Sequence, residues 1–122
     1  MVLKEGMYVR TEEGEISKIK WITAQRWEGL ENTIEASFML ENNESLEYPR
    51  DNFKASDSII DLIEPGDYVN GKRVYNISIV NGLKYLDVEV EDYLSDMPFI
   101  NADQITSVVT KEQFNSVKYE VE

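Results

Sequence analysis

Apolar and polar residues alternate in steps of two along much of this chain. Across residues 33–40, Ile34, Ala36, Phe38 and Leu40 fall on one side, the pattern of a half-buried strand. The polar turn Glu41-Asn42-Asn43-Glu44 follows. Residues 45–48 return as a hairpin partner with Leu46 and Tyr48 on one face, and Pro49 ends that strand or puts it at an edge. The second half repeats the scheme. Residues 74–80 form a strand, Asn81-Gly82 is a hairpin turn because both residues tolerate positive φ, and residues 83–91 return. On that return Leu86, Val88 and Val90 share one face, with Tyr85, Asp87, Glu89 and Glu91 on the other. Asn70-Gly71 is a similar turn.

Helical signals are short. Asp57 and Asp103 are placed to cap single turns of helix or 3-10 structure. Thr110 as N-cap and Gln113 three residues on make a capping box, and Val117, Tyr119 and Val121 then alternate as a final strand.

Two anchors recur in the same order. Gly6-Met7-Tyr8-Val9 matches Gly66-Asp67-Tyr68-Val69, and each leads through a turn glycine, Gly14 or Gly71, into an apolar run. Asp57-Ser58-Ile59-Ile60-Asp61-Leu62-Ile63 matches Asp103-Gln104-Ile105-Thr106-Ser107-Val108-Val109 less closely. This points to a duplicated unit, residues 1–65 and 66–122, with Pro65-Gly66 as a turn that packs the second unit rigidly against the first. The expected fold is mainly β, two small SH3-like barrels in tandem; the alternatives are a single irregular β-barrel or an α+β domain.

Composition narrows the function. The 122 residues contain 24 acidic and 12 basic side chains, a formal charge of -12, and the acidic excess is twofold on either side of Gly66. A phosphate backbone or an anionic membrane would be repelled, and the basic residues Lys18, Lys20, Arg26, Lys72 and Arg73 form no cluster to offset this, so direct nucleic-acid binding is not expected. Cysteine and histidine are both absent, which removes thiolate chemistry, disulfides, the usual general base and the commonest metal ligand. Lys18, Lys72 and Lys111 stand in no nucleophile motif. Glu89, Glu91, Asp92 and Asp96 are close in sequence but lack the spacing and glycine of a calcium loop, so they read as solvated charge. No cofactor or metal is expected, and the chain is read as noncatalytic. Residues 1–8 hold no apolar run after a basic start, and no stretch is long enough to span a bilayer, which leaves the cytoplasm as the expected location.

The aromatic and apolar side chains supply the candidate contacts. Trp21 and Trp27 flank Ile22-Thr23-Ala24-Gln25-Arg26, one expected to plug a barrel core and the other to be partly exposed. Met97 and Phe99 belong to an apolar segment, residues 97–100, that serves either as a contact surface or as packing beneath the second unit. Tyr8 and Tyr68, at matching places, are expected to be structural.

Residues 57–122, notably the runs 61–71 and 105–114, resemble small uncharacterised proteins encoded in phages and prophages of Gram-positive bacteria. The resemblance implies an accessory protein that binds a host or phage protein, in the host cytoplasm. The expected function is therefore a noncatalytic protein-interaction module. Two alternatives stand beside it: an acidic inhibitor or nucleic-acid mimic that occupies a basic host protein, and a small structural component of a phage particle that self-associates.

Overall fold

The structure, a computed structural model, describes residues 2–30, 32–92, 94 and 97–117. It is mainly β and divides into two compact units, Met1–Ser58 and Ile59–Glu122. The division falls ahead of Pro65, and the 3-10 turn Ile59–Leu62 belongs to the second unit. The first unit holds β1 (Tyr8–Thr11), β2 (Ile16–Glu28), β3 (Asn32–Leu40), β4 (Ser45–Tyr48) and β5 (Phe53–Ser56). The second holds β6 (Tyr68–Val69), β7 (Lys72–Val80), β8 (Leu83–Val88), β9 (Phe99–Asn101) and β10 (Val108–Val109), then helix α1 (Lys111–Val117). Each unit is one five-stranded antiparallel sheet, ordered β4-β3-β2-β1-β5 and β9-β8-β7-β6-β10. In both, the last strand returns beside the first.

In the first unit the alternation of β3 buries Ala36, Phe38 and Leu40 with Val9, Ile19, Leu46, Leu3 and Met7. Ile34 does not join them, contrary to the period-two expectation. Arg26 pairs with Glu35 while Trp27 pairs with Thr33, so β3 carries an extra residue there. That bulge reverses the side-chain phase and buries Thr33 instead. Tyr48 ends β4, as Pro49 requires, and its ring meets Phe53 edge-on at 6.0 Å. Neither tryptophan plugs the core: Trp21 falls on the outward face, opposite in parity to Ile22, and Trp27 lies where the other strands have ended. β2 pairs with β1 only over residues 16–18, and β4 reaches β3 only as far as Ala36, so beyond Gln25 the hairpin is two-stranded and open to water. The Gln25 amide fastens the N-terminal segment to this arm: it donates to Leu3 O at 3.0 Å and accepts from Leu3 N at 2.8 Å.

The second unit buries Val69, Val74, Leu86, Val88, Ile100, Ile60, Leu62 and Ile63. Asn70-Gly71 and Asn81-Gly82 are tight turns with both residues at positive φ (53° and 79°, 52° and 79°), as the sequence predicts. β8 stops at Val88, earlier than the alternation suggests, so Glu89, Val90 and Glu91 are off the strand. The Thr110–Gln113 capping box is present: Thr110 N donates to Gln113 Oε1 at 3.1 Å and Gln113 N to Thr110 Oγ1 at 3.3 Å. Val117 ends α1 and is not in a strand, while Tyr119 and Val121 lie outside the described residues. Asn101, not Asp103, is the N-cap of the 3-10 turn Ala102–Gln104, and Asp57 precedes its turn and pairs with Lys4.

The first anchor corresponds in detail between the units. Gly6 N donates to Ile19 O and Gly66 N to Val74 O, both at 2.8 Å; Ile19 N donates to Met7 O and Val74 N to Asp67 O, again at 2.8 Å. Lys4 N donates to the Met7 sulfur at 3.2 Å, as Glu64 N donates to Asp67 Oδ2 at 2.7 Å. A bulge follows in each second strand, after Ile19 and after Val74. The second anchor does not correspond. Val9 and Tyr8 face Ala55 and Ser56, while Val69 and Tyr68 face Val108 and Val109. The turn Ile59–Leu62 therefore follows β5 as α1 follows β10, whereas Asp103 precedes β10. Similar composition, Asp then Ile/Val, points to a correspondence that strand pairing rules out.

Candidate functional site

All four sequence-selected contact residues are exposed: Trp21 by 44%, Trp27 by 50%, Met97 by 55% and Phe99 by 39%. Two belong to each unit. Trp21 and Trp27 share β2 but not a face. Ile22 pairs with the buried Phe38, which turns Trp21 outward, while Trp27 pairs with the buried Thr33 and shares its side. The Lys20 ammonium sits 4.8 Å from the Trp21 ring centre. The Lys18 ammonium is 5.1 Å from the Tyr8 ring, and Tyr68 stacks on Phe114 at 4.8 Å, so both repeated tyrosines have local partners.

On the outward face of β2-β3-β4 lies a groove of 420 Å³. The small side chains Ala24 and Ser37 leave it open, and Arg26, Glu35, Glu47 and Arg50 rim it. Arg26 pairs with Glu35 at 3.1 Å and Arg50 with Glu47 at 3.1 Å and Asp51 at 3.0 Å. These are surface pairs, screened by water, and they contribute little to stability. Their value is positional, since they place both signs of charge around an uncharged floor.

The Asp51 carboxyl is held below its ordinary value, first because it accepts a hydrogen bond from Glu47 N at 2.8 Å and then because of Arg50. Arg50 is raised in return. A depressed carboxylate contributes stability above its unfolded-state value, and that contribution is lost as pH falls through the folded value. The Glu47 amide resonance should therefore shift with acidification at a midpoint below 3.8, the reference value for an aspartate. A titration by amide NMR checks this, and a midpoint at or above that reference would contradict the hydrogen bond.

The outward face of β7-β8-β9 differs. Asn76 pairs with Asp87 and Asp87 with Phe99; next come Ser78, Tyr85 and Asn101; then Val80 and Leu83. Asp87 accepts from Asn76 Nδ2 at 3.0 Å and from Ser78 Oγ at 2.5 Å. Phe99 meets Tyr85 edge-on at 5.9 Å, and Val80 and Leu83 are exposed by 53% and 61%. Phe99 thus adjoins Tyr85, with Leu83 and Val80 further along the same face, and none of these three is singled out as a contact by the sequence; Met97 is exposed two residues before Phe99. The available signal was Leu83 and Tyr85 at the parity of Asp87, opposite the buried Leu86 and Val88.

The acidic run after β8 does not converge. Glu89 pairs with Arg73 at 2.7 Å, Glu91 and Asp92 are exposed, and Asp96 lies outside the described residues. Among the described residues no three carboxylates are grouped to hold a metal ion, and no helix is long and apolar enough to cross a membrane. Comparisons with protein-family models, curated proteins and solved structures found no match to this chain.

Proposed function

We propose that this protein is a noncatalytic protein-interaction module built from two SH3-like units in tandem, acting as an accessory protein of a phage or prophage. The carrying observation is the exposure of Trp21, Trp27, Met97 and Phe99 while other side chains fill both cores. Large aromatic and sulfur-containing side chains on sheets and hairpins are the usual anchors of protein interfaces. The SH3-like reading is supported by the strand order, in which the fifth strand returns beside the first in each unit. The phage setting is supported by the resemblance of residues 57–122 alone.

The test is site-directed photocrosslinking in a Gram-positive lysate, with the crosslinker at position 21, 27, 97 or 99 and, as a control, at the exposed Glu12. One defined protein should be captured from at least one of the four positions and not from Glu12, and alanine at the capturing position should weaken binding roughly tenfold or more. Equal capture from all five positions, or capture indifferent to alanine, would refute the proposal.

A further inference from the structure

Resting on the interaction reading above, we propose that the outward face of β7-β8-β9 docks a basic protein segment that presents aliphatic or aromatic side chains between lysines or arginines. The sister unit shows that the fold does not demand this apolar face. Counted along the two ladders from Ile19–Leu40 and Val74–Val88, Phe99 stands where the first unit has Ser45. Tyr85 stands where it has Ser37, and Val80–Leu83 where it has the ion pair Arg26–Glu35. A sheet of the same order thus has polar side chains at every position where the second unit exposes an apolar one. Exposed apolar side chains that packing does not require, gathered on one face, mark a contact surface.

Charge specifies the partner. Across β7-β8-β9 and the segments joining them, residues 72–101, the sequence has five acidic residues against three basic ones, Lys72, Arg73 and Lys84, and Arg73 is taken up by Glu89 at 2.7 Å. Lys84 pairs with Ile79 on the other side of the sheet and is held by Asp61 at 2.8 Å. The outward face itself carries Asp87, directly between Asn76 and Phe99, and Val88 N donates to Pro98 O at 2.9 Å, which holds the start of β9 against the end of β8. An apolar strip around Asp87, on a chain of net charge -12, fits a segment with apolar side chains flanked by cations. A second copy of this chain would instead bring together two chains with a net charge of -12 each.

The probes are two synthetic peptides of equal length and charge, one alternating lysine with leucine and one alternating lysine with serine, titrated into the full chain. The leucine peptide should bind about tenfold tighter than the serine peptide, weaken as salt rises, and shift the amide resonances of Leu83, Tyr85 and Phe99. Installing the first unit's residues, Val80→Arg with Leu83→Glu and Phe99→Ser, should remove the difference between the peptides. Phe99→Ser alone serves if the triple variant does not fold, and should reduce it. Equal binding of the two peptides, a preference that survives in the variants, or shifts confined to other residues would overturn the proposal. A dimer in light scattering that dissolves in the variants would also overturn it, by assigning the face to a second copy. Photocrosslinking confined to Trp21 or Trp27, with no leucine preference, would sink this proposal and leave the broader interaction function standing.

Discussion

Replacing Asp67 with alanine should lower the unfolding free energy by about 2–6 kcal/mol. Asp67 is fully buried at the start of β6. One carboxylate oxygen accepts from Glu64 N at 2.7 Å and the other from Lys111 N at 2.9 Å, so a single side chain ties the segment before β6 to the first turn of α1. Lys111 Nζ bonds Glu64 Oε1 at 2.7 Å across the same gap. Alanine would leave two backbone donors without this acceptor in a site shielded from water, and each orphaned donor costs about 1–3 kcal/mol. The Lys111–Glu64 pair, more exposed, would not compensate. Asparagine keeps one acceptor oxygen and should cost less than alanine. Urea unfolding of the three proteins measures the order. An Asp67→Ala midpoint within error of the parent would show that the carboxylate does not hold these segments.

A loss of similar size is expected for Leu86→Ala. Leu86 is fully buried in β8, between Ile77 on β7 and Ile100 on β9. Removing its branched end leaves a cavity as well as the lost transfer free energy, about 2–5 kcal/mol together. Leu83→Ala on the same strand is the matched control. Its side chain is mostly exposed, so the change should stay within about 0.5 kcal/mol. Equal effects at the two positions would mean that Leu83 is buried in solution, which would also remove the apolar strip from the surface.

The contrast between Leu83 and Leu86 marks what alternation can convey. Period two separates Leu83, Tyr85 and Asp87 from Leu86 and Val88, and the structure keeps that separation. It does not say that one apolar set would meet a core and the other water, because that depends on which strands lie above and below. The candidate contacts show the same limit. Met97 and Phe99 could be picked out as an apolar segment, but Tyr85, Leu83 and Val80 come to the face of Phe99 only through the pairing of three strands. The tryptophans reveal another gap. Their size favours burial, yet Trp21 falls on the outward face, and the β2-β3 hairpin outruns β1 and β4, which leaves Trp27 half exposed. Bulges are equally silent in sequence. The extra residue at Ile34 moved a buried position to Thr33 without a glycine or proline to announce it.

Taken by itself, the sequence determined the features set within a few residues. Asn-Gly turns form where positive φ is cheap, the Thr110–Gln113 box closes over a single turn, and the antiparallel hairpins follow from alternation on either side of a turn. Only the tertiary structure decided which repeated segments correspond, that a buried Asp67 anchors α1, and which faces remain bare. Those outcomes depend on pairing between residues far apart in the chain. A local pattern fixes the side on which a side chain lies, while the partner strand fixes what that side meets.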